Sequence, residues 1–157
     1  MGCEMNYILG VDPGKTGAIA IVSSNAAQAE VWDMPETEAD FIDLVDEIID
    51  TYGLPKGIYI ESVHAMPGQG VTSTFRFGES FGKAQMFCAM FKVRWVLVTP
   101  QRWKKTLSLG RDKEESRARA KQLYPFIDLK LKKHHNRAEA LLIAEYGRHE
   151  ENRCAGS

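Results

Sequence analysis

Short runs in which nearly every position is apolar alternate along this chain with stretches whose apolar residues recur every three to four positions. The first kind reads as buried strand, the second as amphipathic helix. Tyr7-Ile8-Leu9-Gly10-Val11-Asp12 and a second run over residues 17–23 flank Pro13-Gly14 and Thr16-Gly17, so the spacing predicts an antiparallel hairpin. Ala29-Glu30-Val31-Trp32-Asp33 predicts a third strand, ended by Pro35. From Thr37, a suitable N-cap, Phe41, Leu44, Val45, Ile48 and Ile49 share one helical face, and Gly53-Leu54-Pro55 closes the helix. Gly57-Ile58-Tyr59-Ile60-Glu61 predicts a fourth strand. Residues 62–73, rich in Gly and Pro, predict a mobile exposed loop.

A helix is predicted from Thr74 to about residue 92, with two apolar stripes. Phe77, Phe81, Ala84, Cys88 and Phe91 form one, and Met86, Phe87 and Met90 the other. One stripe packs on a core. The second, with Gly78 and Gly82 a turn apart, predicts a homodimer contact through this helix. Residues 93–98 predict a fifth strand, and Thr99-Pro100 the cap and first position of a helix. A helix over residues 113–123 is stopped by Tyr124-Pro125, a basic linker covers residues 129–133, and a last helix spans about residues 134–146. Gly147 stands in its terminating position, with a frayed polar tail after Arg148. The order of elements predicts an α/β fold: a mixed five-stranded sheet, its first three strands antiparallel and the rest parallel, flanked by helices.

Two of the buried-looking strands end on an acid, Asp12 and Glu61. Isolated buried charge is costly, so such acids need a partner or a purpose. If the first and fourth strands lie side by side in parallel, Asp12 and Glu61 meet at one edge. The last helix then offers Glu139, with His135 one turn before it and Asn136 at i−3. Carboxylates on rigid elements are what Mg²⁺ prefers, and two such ions drive phosphodiester hydrolysis. A histidine in the set suits Mn²⁺ or orients the attacking water. The plainer readings are that Asp12 begins a turn, Glu61 and Glu139 are surface acids, and His135 touches a polyanion.

Composition adds one fact. The 157 residues carry a net charge of −1, but residues 1–55 hold eleven acids and one base, whereas residues 92–137 hold fourteen bases and four acids. A one-sided basic surface fits a polyanionic partner. The length fits a single domain, core about residues 7–147 with short flexible termini. No apolar run reaches membrane-span length, residues 1–6 read as a loose start, and Asn6 spoils a myristoylation signal at Gly2. The scattered Cys3, Cys88 and Cys154 argue against a disulfide framework and fit a reducing intracellular compartment.

Four segments in order, Gly10-Val11-Asp12-Pro13-Gly14-Lys15-Thr16-Gly17, Ile60-Glu61, residues 74–82 and His135-Asn136-Arg137-Ala138-Glu139-Ala140-Leu141, resemble RuvC-type Holliday junction resolvases of the RNase H-like superfamily, nearest their phage and chloroplast branch. The resemblance implies a single RNase H-like nuclease domain over residues 1–157 and a homodimeric, Mg²⁺-dependent endonuclease, with Mn²⁺ able to substitute, that nicks opposing strands of a four-way junction. It also implies a bacterial, phage-infected or organellar setting. By motif position it carries catalytic and metal-binding roles onto Asp12, Glu61 and Glu139, with His135 the candidate for the fourth place and His134 and Asn136 as departures from the pattern. It implies that Phe75 wedges into an opened junction while Arg76 holds phosphate, and that Phe77 is core. It implies too that Lys15, Arg102, Lys104, Lys105, Lys132, Lys133 and Arg137 contact DNA. A less selective RNase H-like nuclease and a non-cleaving branched-DNA binder remain open. An actin-like ATPase, which the Asp-Pro-Gly-Lys-Thr-Gly turn also resembles, needs a second lobe for which this chain is too short.

Overall fold

The computed structural model describes residues 4–157, so the readings at Gly2 and Cys3 lie outside the described residues. The five strands are β1 (Tyr7–Asp12), β2 (Ala18–Ser23), β3 (Ala29–Asp33), β4 (Gly57–Glu61) and β5 (Trp95–Val98). They form one sheet in the order β3-β2-β1-β4-β5. β1–β2 and β2–β3 pair antiparallel, and β1–β4 and β4–β5 pair parallel, as the element order predicts. The helices are α1 (Glu38–Tyr52), α2 (Val71–Met90), α3 (Pro100–Thr106), α4 (Lys113–Leu123) and α5 (His135–Ala155), with a 3-10 turn at Lys132–His134 before α5.

β1 and β2 are buried along their whole length because both faces of the sheet are covered. The period of two then assigns each residue to a face. Tyr7, Leu9 and Val11 point into a core shared with Ile58 and Ile60 of β4, Phe41 and Ile48 of α1, and Phe87 of α2. Ile8 and Tyr59 point the other way, into a core closed by Trp103 of α3, Ala120 of α4 and Leu141 of α5. By parity Gly10, Asp12 and Glu61 belong to this second face. The structure is thus a three-layer sandwich with α5 lying across β1, β2 and β4.

Sequence signals at the helix starts hold. Thr37 caps α1 in a reciprocal box with Asp40, and Thr99 accepts the Arg102 amide with Pro100 inside the first turn of α3. Five expectations need correction. β5 begins at Trp95 rather than at residue 93. α2 begins at Val71, not Thr74, because its first turn projects into solvent, where no buried side imposes an apolar period. Phe87 belongs to the core, packed edge-on against Phe91 and tilted against Phe41, so the second stripe lacks it. Gly147 does not end the last helix, which runs on to Ala155. A β-carbon at Gly147 would lie 2.4 Å from the Tyr59 ring and 2.7 Å from Ile8, so glycine is there for close approach to the sheet. The expected frayed tail is held as helix as well, since Glu151 accepts from Tyr59 Oη at 2.7 Å and from Arg94 at 2.6 Å. Among the described residues no helix is long and apolar enough to cross a membrane.

Candidate active site

The register of β1 on β4 places Val11 beside Ile60, so the next residue of each strand, Asp12 and Glu61, stands at the same sheet edge. Both belong to the α5 face. Gly10 lets α5 come down onto β1 there: a β-carbon at that position would sit 2.4 Å from the Ala144 amide nitrogen and 2.5 Å from the Ala140 carbonyl. No residue but glycine permits that contact without moving the helix that carries Glu139. Asp12 is 6 % exposed and Glu139 8 %, with Glu61 half-buried between strand and solvent.

The three acids act on one another. Burial holds the Asp12 carboxyl well above the usual carboxylate range, and the charges of Glu139 and Glu61 push it the same way, against Lys113 and Lys104. Burial also raises Glu61, opposed first by a hydrogen bond from Trp103 and then by the same two lysines, with Glu139 adding to the rise. Trp103 Nε1 donates to Glu61 Oε2 at 2.7 Å, and its ring is wholly buried. Lys104 Nζ lies 3.7 Å from Glu139 Oε1. Two of the three acids are therefore drawn toward donors of the protein itself. Among the described residues no group of three or more His, Cys, Asp or Glu side chains stands close enough to hold a metal ion. The donor set nonetheless fits one. Crowded, partly buried carboxylates are relieved by a hard divalent cation, in the same direction as the Lys104 and Lys113 charges act on Asp12 and Glu61.

At the fourth position three side chains diverge. His135 donates through Nδ1 to the Lys132 carbonyl at 3.0 Å, which leaves the Nε2 lone pair facing Lys113 Nζ at 3.4 Å. Lys113, which the ring faces, is also one of the charges that lower Asp12 and Glu61. His134 is buried on another side, where its charge would act on Asp33 and Asp128. Asn136 donates its side-chain amide to the Thr16 carbonyl in the β1–β2 turn.

The residues expected to meet DNA are not equivalent. Phe75 is 74 % exposed, and Lys15, Arg76, Lys105, Lys132 and Lys133 are exposed as well. Arg102 is exposed, 3.9 Å from Glu150. Lys104 is inside the acid centre rather than on the open surface. Arg137 makes a bidentate pair with Asp33 at 2.6 and 2.7 Å. A cavity of about 760 Å³ beside the β1–β2 turn is lined by Lys15, Arg76, Lys133 and Arg137 but by none of the three acids. On α2, Val71, Phe75, Gly78, Gly82 and Met86 form one exposed face, with Met86 63 % exposed and open space over both glycines.

Sequence reasoning did not assign Trp103 or Lys113 to the site. The signal for Trp103 was present: Trp103 and Leu107 lie one turn apart on the buried side of α3, and a buried indole N–H needs an acceptor. Lys113 carried no such signal, since only the packing of α4 on α5 brings it to His135.

This sheet order, with acids at the ends of the first and fourth strands and on the last helix, is the mixed α/β arrangement that the element order predicts. No protein-family model and no curated protein matches the sequence. Among solved structures, the chain is similar to Thermus thermophilus RuvC in complex with a Holliday junction substrate, with a TM-score of 0.68 at 16% identity over 94% of this chain and 96% of that one. It is also similar to a further structure of T. thermophilus RuvC, with a TM-score of 0.61, 16% identity and the same coverages of 94% and 96%. The chain has the RuvC fold over nearly its whole length.

Proposed function

We propose that this protein is a crossover junction endodeoxyribonuclease: a metal-dependent hydrolase that cuts phosphodiesters in opposing strands of four-way DNA. The observation that carries the reading is the convergence of Asp12, Glu61 and Glu139 from two strand ends and one helix. It is supported by a fold shared with a RuvC whose solved complex holds a Holliday junction. Asp12, Glu61 and Glu139 would hold Mg²⁺, with Mn²⁺ substituting and His135 Nε2 as the additional donor. The ion would supply Lewis-acid stabilisation and an activated water. Lys104 and Lys113 would pass from the carboxylates to the phosphate. Trp103 fixes the Glu61 oxygen it donates to.

The exposed bases Lys15, Arg76, Arg102, Lys105, Lys132 and Lys133 would follow the phosphate backbone, which positions DNA without reading its sequence. Phe75 would stack on a base at the opened centre, an interaction of about 1–3 kcal/mol. The exposed α2 face would join two copies, matching two active sites to two opposing strands. The setting we propose is the cytoplasm of a bacterial or phage-infected cell, or an organelle.

The test compares labelled four-way junction with linear duplex of the same sequence, in Mg²⁺ and in Mn²⁺, for wild type and Asp12→Asn. Metal-dependent nicking of the junction alone, lost in the variant with binding retained, is the expected result. Tight junction binding without nicking would leave a branched-DNA binder, and equal cutting of linear duplex a general nuclease.

A further inference from the structure

We infer that Asn136 is a positioning residue that locks the turn after Asp12 to the first turn of α5. The inference rests on the proposed metal-dependent reaction and goes beyond it, since it assigns a side chain next to the acid centre a task other than holding the ion.

Three observations carry it. Asn136 sits three residues before Glu139, on the same side of α5, yet its amide is committed to the Thr16 carbonyl. That carbonyl belongs to a turn already held from two other directions: the Gly17 amide donates to Gly14 O at 3.1 Å, and the Met34 amide donates to Gly17 O at 3.0 Å. The next residue, Arg137, clamps Asp33 at the end of β3 with two bonds. The first turn of α5 is thus stapled both to the β1–β2 turn and to the strand beyond it. Asp12 begins that turn and Glu139 follows the staple by one helical turn, so the bond from Asn136 sets the spacing between the two acids.

The chemistry requires an amide. A carbonyl acceptor needs an N–H, which Asp cannot supply. An Asp there would face one acceptor with another and add a fourth negative charge to the centre. An acid in the first turn of a helix is ordinarily favourable, so harm from Asn136→Asp would come from the turn contact rather than from the helix.

Asn136→Asp and Asn136→Ala separate this role from that of a ligand. Deuterium uptake over residues 14–18 of the metal-free protein needs no catalysis. It should rise in both variants while the peptides of α1 stay at the wild-type level. The Mg²⁺ half-saturation of junction cleavage should rise about tenfold in both, with junction affinity and the rate at saturating Mg²⁺ near wild type. Wild-type exchange of the turn in both variants would overturn the inference. So would an Asn136→Asp enzyme that saturates at lower Mg²⁺ than wild type, the mark of a gained ligand. If the wild type itself cuts no junction, the proposed function falls, while the exchange result still decides whether Asn136 holds the turn.

Discussion

Trp103→Phe isolates one contact of the acid centre. The indole N–H is 2.7 Å from Glu61 Oε2, and the ring has no exposed surface. Phenylalanine keeps most of the buried ring and removes the donor. A hydrogen bond to a charged group contributes about 1.5–3 kcal/mol. Two consequences separate. Shrinking the ring leaves a small void, and global stability falls by about 1–3 kcal/mol, which thermal melting in EDTA measures. Loss of the donor frees one Glu61 oxygen from its fixed place and removes the leading influence that lowers its pKa. The Glu61 carboxyl then rises further, so more Mg²⁺ and a higher pH are needed to charge the site. Outer-shell contacts of this kind are worth about 10- to 100-fold in metal affinity or activity. Initial rates of junction nicking, taken across Mg²⁺ concentration and pH at a temperature where both proteins are folded, should show the half-saturation displaced upward and the acid limb of the pH profile moved to higher pH. A variant with reduced stability but wild-type Mg²⁺ and pH dependence would refute the reasoning, because Trp103 would then be packing alone.

Asp12→Asn should stabilise the metal-free protein by about 1–2 kcal/mol, a gain of about 2–8 °C in Tm, because it relieves a carboxylate whose ionisation the site opposes. The sign follows from the raised pKa. Stability tied to protonated Asp12 is complete below the ordinary carboxylate range and is lost as pH rises through the raised value. The advantage of the variant should therefore be largest above neutrality and vanish toward pH ~4 in melts with EDTA; a constant difference across pH would contradict it. Gly10→Ala should cost about 1–3 kcal/mol or more and depress cleavage, since the new methyl meets the backbone of Ala140 and Ala144 and must lift α5. Wild-type urea unfolding would contradict that contact. On the α2 interface proposed above, Met86→Lys should shift sedimentation from dimer to monomer and lower the melting temperature only by what association adds, and an unaltered dimer would place the interface elsewhere than α2.

The strands were legible because β1, β2 and β4 are short apolar runs buried on both faces, and the acids at two of their ends broke that pattern. Parallel pairing of β1 with β4 followed from connection order alone. Local signals misled at two helix boundaries for different reasons. At Gly147, the residue type that normally stops a helix is used for close packing on Tyr59 and Ile8, and a single sequence does not separate the two uses. At Val71, a helical turn in open solvent has no apolar side to report. The shared sheet edge of Asp12 and Glu61 was readable because each ends an apolar run and the two strands pair in parallel. The commitments of Asn136 to Thr16 and of Arg137 to Asp33 were not, because they join positions far apart in the chain through polar atoms that leave no period.

The proposed reaction requires Asp12, Glu61 and Glu139 to close on a divalent cation. Anomalous scattering from Mn²⁺ soaked into crystals of the protein tests it most directly. A peak bounded by the three carboxylates is expected, with Lys104 Nζ withdrawn from Glu139 and no peak in Asp12→Asn crystals under the same soak. A soaked wild-type crystal with no peak there, and with Lys104 still against Glu139, would contradict it.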